Sequence, residues 1–184
     1  MNMVKYDNRL VEAFVAALSS SFLSLKKIYN EQFYYYAFIF DSGFHPYISA
    51  WSYEALEKSI IDNKITEEDA IWWKWDYSDS PYVIYGYDEF FQEVNVLLDE
   101  RKNGLSIDEL YDDEWSIRIF SMEEAMRRLD NAEFFGVGNE REMVVINVEI
   151  APPDSKEYDR ALRLNPMSPL LSEYLKCCEE PENG

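Results

Sequence analysis

Histidine, cysteine and glycine are scarce in this 184-residue chain, which has one, two and six of them respectively. The lone histidine, His45, cannot form a multi-histidine zinc site, and no glycine-flanked serine marks a nucleophile elbow. Cys177 and Cys178 are adjacent, a spacing that suits neither a framework disulfide nor a metal site. Gly136 and Gly138 lack the third glycine and the preceding strand of a phosphate-binding loop. We therefore expect no catalytic residue of these kinds, no cofactor and no metal.

Long apolar runs are also missing. No run approaches the roughly 18 residues of a membrane-spanning helix. The N-terminus, MNMVKYDNRLVEAF, has no basic start, apolar stretch or small-residue cleavage site of a secretory signal. We therefore expect a cytoplasmic protein with reduced cysteines.

Basic residues are outnumbered, with 17 lysines and arginines against 36 acids and a net charge of −19. The whole excess follows Ala50, because the first 50 residues hold four bases and four acids. Such a chain is a poor partner for nucleic-acid backbones and anionic membranes, both of which favour basic surfaces. Two readings of the acidic surface stay open: it keeps the protein in solution, or it steers a basic protein partner.

Apolar content is nevertheless high, at 47% hydrophobic and 16% aromatic residues, which excludes a disordered acidic tail. We expect a single domain over residues 1–184, with a frayed tail at 176–184.

Residue spacing predicts the secondary structure. Apolar residues at three- and four-residue steps predict one amphipathic helix from Val4 to Tyr29. Strands are expected at Phe33–Phe40 and Pro46–Trp51, as a hairpin, and at Met143–Ile150. Shorter strands are expected at two more places, Ile71–Tyr77 and Tyr82–Tyr85. Helices are expected after the cap residues Ser52, Asp88, Ser106, Ser121 and Ser168, the one from Asp88 running to about Lys102, and a further helix is expected after Asp154. This pattern predicts an α+β fold, an antiparallel or mixed sheet of four to five strands with helices packed mainly on one face.

Tyrosines and tryptophans are interleaved with acids between residues 72 and 115. Such aromatic residues are common anchors of protein interfaces, and acids around them speed association with a basic partner. The candidate partner-binding residues are Asp76, Tyr77, Asp79, Tyr82, Asp112, Asp113, Glu114 and Trp115.

The Trp72–Asp79 segment has two other readings. Its tryptophans can simply fill the core as alternate residues of a strand. It can also form the site of a carboxylate-dependent hydrolase, which requires a deep pocket, two facing acids and a raised pKa.

Five short segments, spread over most of the chain, carry a family resemblance. They are Tyr35-Tyr36-Ala37-Phe38, Trp73–Trp75, Phe91-x-x-Val94-Asn95, Glu142–Ile150 and Arg163-Leu164-Asn165-Pro166. Together they resemble the bacterial domain-of-unknown-function family 4303. The resemblance implies a stand-alone cytoplasmic protein with no catalytic residues to carry over. Because some members lie beside polymorphic toxin genes, it also implies an immunity role.

Charge, aromatic residues and resemblance together favour a non-catalytic acidic immunity or inhibitor protein that binds a basic toxin or effector domain. An alternative is a DNA-mimic inhibitor of nucleases, which requires carboxylates spaced like phosphates along an elongated surface. The hydrolase is a further alternative. The oligomeric state stays open.

Overall fold

The computed structural model of the chain describes residues 6–41 and 45–179. Within these ranges it has three strands, ten α-helices and one π-helical turn. The strands are β1 (Phe33–Asp41), β2 (Tyr47–Ser52) and β3 (Val145–Ala151). The first helices are α1 (Asn8–Tyr29), α2 (Tyr53–Asn63), α3 (Glu67–Trp73), α4 (Tyr87–Phe90), α5 (Gln92–Lys102) and α6 (Ile107–Glu109). After the π-helical turn (Leu110–Glu114) come α7 (Trp115–Asn131), α8 (Asn139–Glu142), α9 (Glu157–Leu164) and α10 (Pro169–Cys178).

Strand β1 is the centre of the sheet, whose order is β2-β1-β3. It pairs antiparallel with β2 and parallel with β3, so that Tyr36 lies opposite Ala50 on one side and Ile146 on the other. All eight residues of the apolar run 33–40 are buried. A continuous apolar run is typical of a strand covered on both faces. The predicted hairpin, the strand near Met143–Ile150 and the α+β class with a mixed sheet are confirmed.

Helices cover both faces of this sheet. The ring of Tyr36 contacts Phe22 of α1, with the ring centroids 4.8 Å apart. Its neighbour Tyr35 points to the opposite face, where its ring lies 5.6 Å from that of Tyr174 in α10. The prediction of helices mainly on one face is therefore wrong, because a strand that is apolar on both faces needs cover on both.

The predicted strand Ile71–Tyr77 is wrong, because α3 and a following turn occupy those residues. Thr66 caps this helix by accepting a hydrogen bond from the backbone N–H of Asp69 at 3.1 Å. Acids occupy all three positions of its first turn, and their negative charges stabilise the helix by interacting with the positive end of its dipole. These local signals determine the helix more strongly than the aromatic run does.

The predicted strand Tyr82–Tyr85 is also wrong. Turns occupy this segment, and Ile84 has a positive φ of 61°. Among the backbone hydrogen bonds of the described residues, only the one from the Ile84 N–H to the Ile48 carbonyl of β2, at 2.9 Å, joins Ile84 to the edge of the sheet. The sheet of the described residues thus has three strands, not the four to five predicted.

Cap signals predict three helix starts correctly. Ser52, Ser106 and Ser168 each accept a hydrogen bond from a backbone N–H of the first turn. The prediction at Ser121 is wrong, because this residue lies inside α7 and its hydroxyl donates to the Ile117 carbonyl. Asp88 lies inside the short α4, so the predicted helix through Lys102 is divided into α4 and α5.

The ends of the described chain differ from the sequence prediction. Helix α1 begins at Asn8, with Asp7 as its cap, and residues 4–5 of the helix predicted from Val4 lie outside the described residues. Helix α10 continues to Cys178, so residues 176–178 are helical rather than frayed, and residues 180–184 lie outside the described part. None of the helices in residues 6–41 and 45–179 is long and apolar enough to cross a membrane.

Gly86 allows the turn that leads into α4. Its φ is +67°, and a Cβ at this position would lie 2.5 Å from Cδ2 of Phe90. We expect Gly86→Ala to lower the free energy of unfolding by about 2–3 kcal/mol, through left-handed strain and this clash. Gly104 also has a positive φ, +85°, with nothing within 4 Å of an added Cβ. The matched variant Gly104→Ala should therefore cost only about 1 kcal/mol in urea unfolding, and equal costs would contradict a clash at Gly86.

Candidate functional site

Strand side chains hold the segment after α3 against the edge of the sheet. Trp51 Nε1 donates to the Asp76 carbonyl at 2.7 Å, and Ser49 Oγ donates to the Tyr77 carbonyl at 2.8 Å. These bonds fix the backbone directly after Trp75, which lies in the core, while Asp76 stays exposed.

A cavity of about 370 Å³ lies between this segment, the end of β3 and helices α9 and α10. This volume is at the small end of the range for ligand pockets, roughly 300–1,000 Å³. Aromatic rings, three carboxyl groups and two thiols line it. The lining residues are Trp72, Trp75, Asp76, Tyr77, Ser78, Glu149, Pro153, Glu157, Tyr174, Cys177 and Cys178.

Glu149 is the buried acid of this cavity, with 3% of its surface exposed. Its Oε1 atom accepts hydrogen bonds from the hydroxyls of Tyr35 and Tyr174, both at 2.5 Å. The side-chain amide of Asn147 also donates to this oxygen, at 3.2 Å. Three donors from three different elements therefore meet on one carboxyl oxygen in the interior of the protein.

Glu157 shares the hydroxyl of Tyr174 with Glu149. The Tyr174 oxygen lies 2.9 Å from Glu157 Oε1 and accepts a bond from the Asn147 amide at 2.8 Å. One hydroxyl proton can serve only one of the two carboxyl groups at a time. A proton on one of the glutamates supplies the missing donor, and two like charges this close favour such a shared proton.

The environment of Glu149 keeps its carboxyl protonated at neutral pH. Burial is the main cause and the charge of Glu157 adds to it, while the bonds from Tyr174 and Tyr35 act in the opposite direction. Together they raise the pKa of Glu149 to about 8. A carboxylic acid that is neutral near pH 7 can donate a hydrogen bond or release a proton when a ligand binds.

The two cysteines of the cavity are held as thiols. Burial raises the pKa of both, and for Cys178 the charge of Glu157, whose Oε1 is 3.6 Å from its sulfur, raises it further. The thiolate is the nucleophilic form, so neither side chain is an activated nucleophile in this setting.

The first group of predicted site residues is divided between two depressions. Asp76 and Tyr77 line the cavity of Glu149, and burial raises the pKa of Tyr77. Asp79 and Tyr82 line a separate cleft of about 580 Å³ beside α2. Tyr82 is buried, and its hydroxyl donates to Glu31 at 2.6 Å. Tyr82 therefore supports the wall of that cleft and is not open to a protein partner.

The second predicted group lies on the π-helical turn and the start of α7. Asp112 and Asp113 are exposed. Glu114 instead is buried and ion-paired with arginines, and Trp115 is half-buried with its ring 4.7 Å from that of Phe40. The burial of Glu114 corrects its sequence-based reading as a surface acid. No described hydrogen bond or ring contact joins this group to the group at residues 76–82.

A family model for a domain of unknown function, DUF4303, matches residues 10–166. The chain belongs to the DUF4303 family. The match includes Glu149 and Glu157 and ends before Tyr174 and the two cysteines, so α10 completes the cavity from outside the matched region. No curated protein and no solved structure matches this DUF4303 chain.

The sequence prediction missed Glu149, Glu157 and Tyr174. A signal for Glu149 exists in the strand itself, since Asn147 and Glu149 alternate with Ile146, Val148 and Ile150 in β3. Two polar side chains on one face of a buried strand need partners, because unpaired polar groups are costly in a protein interior. Nothing in the sequence indicates which partners α9 and α10 supply.

Proposed function

We propose that this DUF4303 chain is a non-catalytic acidic binding protein that neutralises a basic protein partner, as an inhibitor or immunity protein does. One observation carries the proposal: all eight arginines form ion pairs with carboxylates of the same chain. The pairs join Arg9 to Glu100, Arg101 to Asp7 and Glu114, Arg118 to Glu114, Arg127 and Arg128 to Glu124, Arg141 to Asp130, Arg160 to Asp154 and Arg163 to Glu123. Much of the basic charge is thus satisfied internally, which leaves a strongly negative surface.

Large apolar side chains are exposed within this negative surface. Trp72 and Ile71 are 50% and 54% exposed at the end of α3, whose first turn is entirely acidic. Tyr111 is 52% exposed beside Asp112 and Asp113. Exposed tryptophan and tyrosine supply the binding energy of many interfaces, and surrounding carboxylates raise the association rate with a basic surface.

The proposed mechanism is occlusion of a basic surface. The acidic groups draw the partner in and exclude its other ligands, and the aromatic anchors slow dissociation. A cytoplasmic location and protection against a toxin or effector domain belong to the same proposal.

A second candidate, a carboxylate-dependent hydrolase, is supported by one observation. The cavity beside Trp72 contains two glutamates, and the carboxyl of Glu149 has a raised pKa. Both carboxyl groups, however, contact the single hydroxyl of Tyr174. This places them closer together than the roughly 6.5–9.5 Å that an inverting glycosidase needs for its water.

The binding proposal is tested with the partner that the immobilised full chain retains from its source cell, purified and titrated back. We expect a basic protein whose association slows as salt rises from about 0.05 to 0.5 M, since salt screens exposed charges. Trp72→Ala should weaken binding by about tenfold or more, the loss expected of an interface anchor.

Leu23→Ala is the matched control, because Leu23 is 57% exposed on α1, outside the acidic segments. It should leave the affinity unchanged. Equal effects of the two substitutions, or a retained protein that is not basic, would contradict the proposal.

A further inference from the structure

We propose that the cavity around Glu149 binds an organic cation, an ammonium or guanidinium group. The cation is either a free small molecule or a lysine or arginine side chain of a protein, and the second source rests on the proposed function. Three features of the cavity support this assignment: the negative charge of its lining, its aromatic walls and the proton of Glu149.

The charge of the lining is negative. Asp76, Glu149 and Glu157 contribute carboxyl groups, and no described lining residue is basic. Two described cations interact electrostatically with cavity residues, Arg160 with Glu149 and Lys74 with Cys177, but the hydrogen bonds of both go to other groups. Arg160 donates to the Val148 carbonyl and to both oxygens of Asp154, and Lys74 is held by Glu173 at 2.8 Å. The carboxyl groups of the cavity therefore lack a cationic partner from the described lining.

Aromatic rings form much of the remaining lining. Trp72, Trp75, Tyr77 and Tyr174 all border the cavity. Ring faces attract ammonium and guanidinium groups within about 6 Å, and most strongly where water is excluded. The combination of carboxyl groups and ring faces selects an organic cation. The cavity is less suited to a bare metal ion, since no group of three or more potential ligands among the described residues is arranged to hold one.

The proton of Glu149 links binding to pH. A bound cation favours the ionised carboxylate, so binding should release a proton below the pKa of about 8 and become tighter as the pH rises toward it. The titratable and charged groups around Glu149 are Tyr35, Asp76, Tyr77, Glu157, Arg160, Tyr174 and Cys178. Burial raises the pKa values of these three tyrosines and of Cys178, so they stay neutral in this range.

The test is calorimetric titration of the full chain with Nα-acetyl-arginine amide and with Nα-acetyl-citrulline amide, called arginine amide and citrulline amide below. The acetyl group removes the α-ammonium charge of both ligands, so that citrulline amide is an uncharged analogue of similar shape. We expect arginine amide to bind and citrulline amide not to bind. The affinity for arginine amide should rise by up to about tenfold per pH unit between about pH 6 and 8, the linkage of one released proton. Glu149→Gln should weaken binding by at least about tenfold and remove this pH dependence.

Glu12→Gln is the control variant, because Glu12 is exposed on α1, across the sheet from the cavity, and it should change nothing. If Glu149→Gln does not fold, Trp72→Ala replaces it, since Trp72 is half exposed and lines the cavity. In a second titration, a short glycine peptide with one central arginine replaces the amides. Binding of arginine amide supports a free cation, and binding of the peptide alone supports a protein side chain.

Equal binding of arginine and citrulline amides, no binding of amide or peptide, or unchanged binding by both cavity variants would overturn the assignment. The two proposals fail separately. Arginine amide binding without any retained basic protein leaves the cavity site and removes the proposed function. A basic partner bound equally by wild-type and Glu149→Gln chains, with no amide or peptide binding, leaves the proposed function and removes the cavity site.

Discussion

Replacing Glu114 by glutamine is expected to lower the free energy of unfolding by about 3–5 kcal/mol, the usual cost of breaking a buried ion pair. Glu114 and Arg118 are 5% and 1% exposed, and Glu114 Oε1 lies 2.9 Å from Arg118 Nε. Arg101 binds the same carboxylate with two nitrogens, at 2.9 and 2.8 Å. The substitution keeps the shape of the side chain but removes the negative charge that offsets two guanidinium groups.

The measurement is urea unfolding, with Glu100→Gln as the matched control. Glu100 pairs with Arg9 at 3.8 Å, and both side chains are mostly exposed. Such surface pairs contribute little, so this control should change the stability by no more than about 0.5 kcal/mol. Adding Arg118→Met to Glu114→Gln should recover part of the loss, because it removes a buried charge that Glu114 no longer offsets. Equal losses of unfolding free energy for Glu114→Gln and Glu100→Gln would show that the buried ion pair stabilises the fold no more than the exposed pair does.

Glu114 also illustrates what the sequence could not provide. In Asp112-Asp113-Glu114 the three acids have the same local character, yet only Glu114 points inward. Arg118, four residues later, is a visible helical partner, but Arg101 joins the pair only through packing of α5 against the π-helical turn. Burial of one acid among several is a tertiary property that residue spacing does not report.

Most of the fold was predictable where periodicity reports burial directly. Helix α1 buries Val11, Phe14, Leu18 and Phe22 at the predicted spacing, and the run at 33–40 is the central strand. The prediction failed where an aromatic run is compatible with two structures. At α3, the cap residue Thr66 and the acids after it were the better indicators, since they act on the backbone itself.

The candidate site was predictable only in part. Asp76 and Tyr77 were selected from their aromatic and acidic neighbours, and both line the cavity. Glu149 could not be placed there, because its contact with Tyr35 joins residues 114 positions apart and requires β3 to lie parallel beside β1. Long-range pairing of this kind is set by the whole fold.

Glu149→Gln is expected to make the protein more stable than the wild type in mildly alkaline solution and to leave its stability nearly unchanged in mild acid. Glutamate titrates near 4.5 when unperturbed, and the fold raises the pKa of Glu149 to about 8. Between these values the folded chain binds one proton more than the unfolded chain. The stability that this proton provides is present at low pH and is lost as the pH rises through the window, by at most about 1.4 kcal/mol per pH unit.

Glutamine at this position imitates the protonated acid without titrating. Its carbonyl can accept the bonds from Tyr35 and Tyr174, and its amide can donate to Glu157, as the acid proton does. In urea unfolding from about pH 5 to 8.5, the free energy of unfolding of the variant should therefore exceed that of the wild type by more than about 2 kcal/mol at the highest pH. The exposed Glu68, changed to glutamine, should keep the wild-type profile. Parallel profiles for wild type and Glu149→Gln would mean that Glu149 ionises in the folded protein as it does in the unfolded chain.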